Sequence, residues 1–231
     1  MATKIGILQC GDHLESVAQK HHSHSALFQK LFAGFQLSFE TFRVNINEFP
    51  QKPDVCDGYV ITGSPMGVYE NHDWIAPLEQ LVRDCFAASI PIIGICFGHQ
   101  LMAQALGGKV EKFAGGWSVG QVDYQSSEGK TVTLNAFHQD QVITPPEGST
   151  TFLSSDFCKH AGLSYGKKGM SIQPHPEMGA DYIKDLLDAK GRKLFQEQQL
   201  SDAYDSLTEN IDVDVATRML LSVLSPELKM A

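Results

Sequence analysis

The sequence predicts an α/β fold in a single domain over residues 1–231: a central, mostly parallel sheet with helices on both faces and a small antiparallel addition. Three observations predict it. Through the first half, short buried apolar runs alternate with stretches of helical periodicity, an order that yields parallel strands covered on both faces. Shorter strands with interleaved polar residues and Gly-rich turns follow. No repeat, low-complexity tract or linker divides the 231 residues, and a chain of that length buries a full core without staples.

Residues 4–10 (KIGILQC) read as a buried strand, 26–35 (ALFQKLFAGF) as a helix and 37–44 as an alternating strand. Residues 58–62 (GYVIT) form a strand that stops at Gly63-Ser64-Pro65. In 74–87 the residues Ile75, Leu78, Val82, Cys85 and Phe86 share one helical face, with Trp74 at its start. Residues 90–95 (IPIIGI) are another buried strand, and 97–106 a helix that stops at Gly107-Gly108. Residues 110–113, 118–124 and 131–135 look like antiparallel additions at one side of the sheet. A strand at 169–173 leads into Pro174-His175-Pro176-Glu177. From Ala180 the chain is helical, with Tyr182, Leu186 and Leu187 apolar, then a helix over 213–224.

Composition narrows the function. With 42% hydrophobic and 19% charged residues the chain is an ordinary globular one rather than a disordered one. Its net charge of −9 repels a phosphate backbone, which argues against nucleic acid as a partner. No 18-residue apolar run reads as a membrane span, and the N-terminal residues do not read as a signal peptide. The five cysteines, at 10, 56, 85, 96 and 158, are odd in number, irregularly spaced and without CxxC. That pattern supports neither a disulfide framework nor a Cys-rich metal site, and points to a reducing cytoplasm. No cofactor is implied, because neither GxxxxGK[ST] nor GxGxxG occurs.

Gly94-Ile95-Cys96-Phe97-Gly98 is the most informative stretch. A buried strand runs into a helix with Cys96 at the junction, an elbow in which flanking glycines remove the clashes of a sharp turn. At the first turn of the helix, unpaired N–H groups and the dipole favour a thiolate, the attacking species. Cys10, Cys56, Cys85 and Cys158 lack such surroundings and read as buried structural residues. A thiol nucleophile needs a base, and the base an orienting group. His175 and Glu177 stand two apart in extended chain and so point to one side, held by Pro174 and Pro176. Glu177 would accept the Nδ1–H of His175 and leave Nε2 facing Cys96. An oxyanion would be met by the N–H of Phe97 and by Gly63 of the loop Thr62-Gly63-Ser64-Pro65-Met66-Gly67. Each such donor is worth roughly 2.7–4 kcal/mol. Among the other histidines, the run His21, His22 and His24 reads as a solvated segment, His99 as a local packing residue, and His13, His72 and His160 carry no supporting context.

Together these residues resemble the class I, or triad-type, glutamine amidotransferase family. GICFGHQLMAQALGG (94–108) looks like its nucleophile block, GYVITGSPMGVYE (58–70) like its oxyanion block and QPHPEM (173–178) like its His-Pro-Glu block. Order and spacing match over residues 4–187. AFHQDQV (136–142) and GGWSVG (115–120) are similar to the glutaminase domain of GMP synthetase, in which glycine stands where this chain has Gln139. The resemblance implies a flavodoxin-like sheet and hydrolysis of a γ-glutamyl amide through a γ-glutamyl thioester. It also implies that Gln100, His138, Gln139 and Asp140 hold glutamine or another γ-glutamyl small molecule, with Asp140 on the α-ammonium and Trp117 at the pocket entrance. Family members usually pass ammonia to a synthetase domain or subunit. The readings left open are a free-standing glutaminase, a γ-glutamyl peptidase, the ammonia-supplying subunit of a separate synthetase, a different thiol hydrolase on the same sheet, and a regulatory binding protein that kept the fold.

Overall fold

In chain order the elements are β1 (Thr3–Leu8), α1 (Glu15–His21), α2 (His24–Leu31), β2 (Leu37–Phe42), β3 (Gly58–Ile61), α3 (Ile75–Ala88), β4 (Ile92–Ile95), α4 (Phe97–Ala105), β5 (Lys109–Lys112), β6 (Ser118–Ser126), β7 (Thr131–His138), β8 (Asp140–Thr144), β9 (Thr150–Ser154), β10 (Gly162–Ser164), β11 (Gly169–Ile172), α5 (Ala180–Leu186), α6 (Arg192–Leu194), α7 (Glu197–Ser206) and α8 (Val213–Leu221). They belong to a computed structural model that describes residues 2–208 and 210–224. Nine strands form one sheet in the order β2-β1-β3-β4-β11-β10-β9-β6-β7. The pairs β2/β1, β1/β3, β3/β4 and β4/β11 are parallel; from β10 onward the neighbours are antiparallel.

The parallel half is buried on both faces, as its near-continuous apolar strands require. Side chains alternate across it. Tyr59, Ile61 and Ile92 join the cluster that α3 and α4 cover, while Ile5, Ile7, Val60, Ile93 and Ile95 join the cluster under α2 and α8. In α3 the buried face is Ile75, Leu78, Leu81, Val82 and Cys85. Each large aliphatic residue there contributes roughly 1.5–3 kcal/mol of burial, and Ser89 closes the helix in a left-handed turn (φ 58°). A third cluster joins Val17 of α1 to Ile183, Leu186 and Leu187, so α1 packs on α5 beside the sheet.

Several elements differ from expectation. Residues 110–113 do not extend the main sheet; β5 pairs with β8 in a separate two-stranded sheet. β8, β9 and β10 and helix α1 lie in stretches whose apolar spacing is too short or too polar to announce them. The strand expected from residue 90 begins only at Ile92, because Pro91 offers no N–H to the ladder. The helix expected over 213–224 ends at Leu221.

Candidate active site

Register brings the site together. Ile61 of β3 is aligned with Gly94 of β4, and Ile95 of β4 with Ile172 of β11. The loops leaving these three strands therefore emerge side by side at the carboxyl edge of the parallel sheet, where open α/β sheets bind ligands. They carry Gly63, Cys96 and His175. An ideal Cβ placed on Gly63 would lie 3.3 Å from His175 Cε1 and 3.9 Å from Cys96 Cβ, so the three groups surround one point.

Cys96 sits between β4 and α4 with φ 53° and ψ −103°, a left-handed conformation that costs a non-glycine residue of order 1–3 kcal/mol. Packing holds it there. A Cβ on Gly94 would come 2.6 Å from the carbonyl oxygen of Gly98, and one on Gly98 would strike the carbonyl of Ile61. The Cys96 N–H donates to Ile172 O at 2.9 Å, and its carbonyl accepts from Gln100 N at 3.0 Å. The N–H groups of Phe97 and Gly63 are taken up by no turn, loop or cap partner among the described residues.

His175 is pinned by β7: its N–H donates to Asn135 O at 2.8 Å, and Asn135 Nδ2 donates to Met178 O at 2.8 Å. Its Nδ1 lies 2.7 Å from Glu177 Oε1, and both residues are buried. The second carboxylate oxygen, Oε2, is buried without a protein partner, so the charge of Glu177 bears on the imidazole. Burial works against the His175 imidazolium. The charges of Glu177 and of a Cys96 thiolate, with hydrogen bonding from both, outweigh it and raise the pKa to about 10. The other cysteines are all buried; burial pushes their thiols up, those of Cys85 and Cys158 to about 12.

Cys96 and His175 line a cavity of about 290 Å³ that also reaches Gln100, His138, Gln139 and Asp140. Gln100 is buried, and its Nε2 donates to Asp140 O at 2.9 Å and Gln173 Oε1 at 3.0 Å. His138 Nδ1 faces Asp140 O at 3.2 Å, while burial holds its pKa down at about 3. Gln139 Nε2 donates to Phe113 O at 3.2 Å. The Asp140 carboxylate accepts from Tyr69 Oη at 2.9 Å; half-burial raises its pKa while the Tyr69 bond opposes the rise. Trp117 lines the same cavity, and so does Tyr69, which the sequence did not single out. Among the described residues no three His, Cys, Asp or Glu side chains converge as a metal-binding group, and no helix is long and apolar enough to cross a membrane.

Contrary to expectation, the run 21–24 is not uniformly solvated. Ser23 caps α2 by accepting from Ala26 N at 3.2 Å. That places His24 on the inward side of the first turn, where it is 7% exposed and reaches the cavity. His21 bonds Asp185 at 2.7 Å, and of the three histidines only His22 stands in solvent. His13, without context in the sequence, lines the cavity beside His24, their ring centroids 3.9 Å apart. His99, expected to pack or cap locally, instead reaches from α4 to Ser171 Oγ of β11 at 2.8 Å.

A thiol at a helix start, an imidazole backed by a carboxylate and two unclaimed N–H groups are the parts that acyl transfer uses. Known proteins share the frame. The chain is 28% identical over 213 residues to gamma-glutamyl peptidase 5 of Arabidopsis thaliana, covering 86% of this chain and 85% of that one. It is 37% identical over 142 residues to a subunit of the glutamine-hydrolyzing GMP synthase of Archaeoglobus fulgidus, covering 58% of this chain and 73% of that one. The crystal structure of a glutamine amidotransferase from Methylobacillus flagellatus superposes with a TM-score of 0.77 at 19% identity, over 99% of this chain and 96% of that one, and so shares the fold. Residues 15–186 match the family model of the class-I glutamine amidotransferases, and the chain belongs to that family.

Proposed function

We propose that the protein hydrolyses a γ-glutamyl amide through a thioester on Cys96. The observation that carries this reading is the meeting of a strained Cys96 and a His175 whose Nδ1 lies 2.7 Å from Glu177, in one cavity. Family membership and the γ-glutamyl peptidase relatives support it.

The steps follow from the positions. The Cys96 thiolate attacks the side-chain carbonyl carbon of the γ-glutamyl group. Negative charge moves to the carbonyl oxygen and is met by the N–H groups of Gly63 and Phe97. The His175 imidazolium gives its Nε2 proton to the amide nitrogen, the C–N bond breaks, and ammonia or an amine leaves. Water then attacks the thioester while His175 takes its proton. The tetrahedral adduct expels the Cys96 thiolate and releases glutamate. Glu177 keeps Nδ1 protonated and steadies the imidazolium throughout.

At the other side of the cavity Asp140 holds the α-ammonium of the γ-glutamyl group, with Gln100 fixing the Asp140 backbone and His138 and Gln139 shaping the wall. Asp140→Asn is expected to raise KM for a γ-glutamyl amide about tenfold with kcat changed less than about threefold, since one charge-assisted bond is lost in both ground and transition states. Steady-state kinetics of amine release measure this. An unchanged KM contradicts the assignment.

The alternative of an ammonia-supplying subunit draws on the likeness to the GMP synthase subunit. In that case ammonia release rises on adding a partner synthetase with its own substrates.

A further inference from the structure

The cavity has two chemically different ends. One end presents Asp140, Tyr69 and Glu70, with Lys112 beside the two carboxylates. The other presents His13, His24, Tyr182 and Lys190. These four come from separate elements: the loop before α1, the first turn of α2, α5, and the π-helical turn Leu187–Gly191 that interrupts the chain after α5. A π-turn is rare and concentrates at functional positions. Here it places Lys190 at the cavity wall.

This end gathers three basic side chains, and the carboxylates near it already have partners. His24 is 7% exposed and its Nδ1 has no partner. Lys190 is half-buried, with no carboxylate in ion-pair range among the described residues. His13 meets the Tyr182 hydroxyl at 3.3 Å. Two carboxylates lie nearby: Asp12 is held by Arg43 at 3.1 Å, Gln9 at 3.0 Å and Asn45 at 3.2 Å, and Glu177, whose charge reaches Tyr182, is engaged by His175 Nδ1 at 2.7 Å. Burial, and after it the positive charges of His13, His175 and Lys190, hold His24 well below its ordinary pKa. Burial also pushes Lys190 down, and His13 to about 4. An incoming anion relieves all three.

His24 and Lys190 line the same cavity as His175, and the segment that carries His175 runs directly into α5 with Tyr182. His175 is the group that protonates the leaving nitrogen. The leaving group is therefore on this side, and the γ-glutamyl moiety on the Asp140 side. In a γ-glutamyl peptide the α-carboxylate of the released residue lies two bonds from that nitrogen. Free glutamine has nothing to place there.

We propose that His24 and Lys190 form a leaving-group subsite for a carboxylate, so that the preferred substrate is a γ-glutamyl peptide whose released amine is an amino acid. This rests on the hydrolytic reading above and names its substrate class.

The test uses calorimetric binding of γ-glutamylglycine and γ-glutamylglycinamide to the non-cleaving Cys96→Ala chain. The two ligands differ only in the carboxylate. The free acid is expected to bind at least about tenfold tighter. Adding Lys190→Met or His24→Leu should weaken the acid alone and bring the ratio toward one, while Lys190→Arg keeps it. Equal affinities in Cys96→Ala, no binding of either ligand, or a preference that survives both substitutions overturns the subsite. Turnover by the unsubstituted chain separates the two readings. Cleavage of both ligands without carboxylate preference overturns the subsite alone. Discrimination in binding without any cleavage overturns the hydrolytic reading and supports the anion subsite.

Discussion

Cys96→Ala is expected to lower hydrolysis of a γ-glutamyl amide by at least about 10⁴-fold, the scale seen when a covalent nucleophile is removed from a coupled set. Nothing else in the cavity replaces it: the remaining cysteines are buried outside it, and their thiols are pushed up by burial rather than activated. The loss should be of chemistry and not of fold. Cys96 is held at φ 53° by its glycine neighbours and by the Ile172 hydrogen bond, and an alanine inherits that conformation. Cys96→Gly goes further. It is equally inactive, but glycine adopts φ above zero freely, so it should melt above Cys96→Ala, the gap corresponding to about 1 kcal/mol of released strain. A Cys96→Ala chain with wild-type turnover, measured by amine release, removes Cys96 from the mechanism.

Glu177→Gln is expected to have the next largest effect and a distinct pH signature. Burial opposes the His175 imidazolium, and the Glu177 carboxylate is the leading influence that overcomes it. With the charge present, the imidazolium persists until the pH rises through about 10, and above that value the acid that protonates the leaving amine is lost. The alkaline limb of kcat/KM therefore lies near pH 10 for the unsubstituted protein. Glutamine keeps the shape and removes the charge, and its amide no longer enforces the Nδ1–H tautomer. Desolvation is then opposed chiefly by Cys96. The alkaline limb should move down from about pH 10, with kcat reduced about 10³–10⁴-fold. An alkaline limb that stays in place shows that the carboxylate does not set the charge of His175.

The residues gathered at the centre of the cavity were more legible in the sequence than the walls around them. Glycines two positions either side of Cys96 carried a steric message that the structure explains atom by atom, since both would collide with backbone if they bore a Cβ. The i, i+2 spacing of His175 and Glu177 was legible because two prolines leave that segment few conformations. Gly63 was legible because β3 ends in a glycine turn. His24 and His13 were not. They belong to a short helix and a loop whose polar spacing resembles a solvated surface; His24 turns inward from the first turn of α2, behind the Ser23 cap, and His13 lies beside it. Lys190 gave no signal, because a π-turn has no residue pattern of its own; it arises where the chain after α5 closes over Leu200 and Phe195. The short antiparallel strands β8–β10 were hidden for a related reason. Three to five residues with mixed polarity form a strand only when a neighbour supplies the ladder.

The central claim is that a γ-glutamyl group passes through Cys96. Acid-quenched intact-mass spectrometry during turnover of a γ-glutamyl amide tests it most directly, with peptide mapping of the modified chain. The account predicts one γ-glutamyl group per chain, located on Cys96, released by hydroxylamine and absent from Cys96→Ala. Sustained turnover with Cys96 unmodified throughout, or an adduct mapped to another residue, contradicts it.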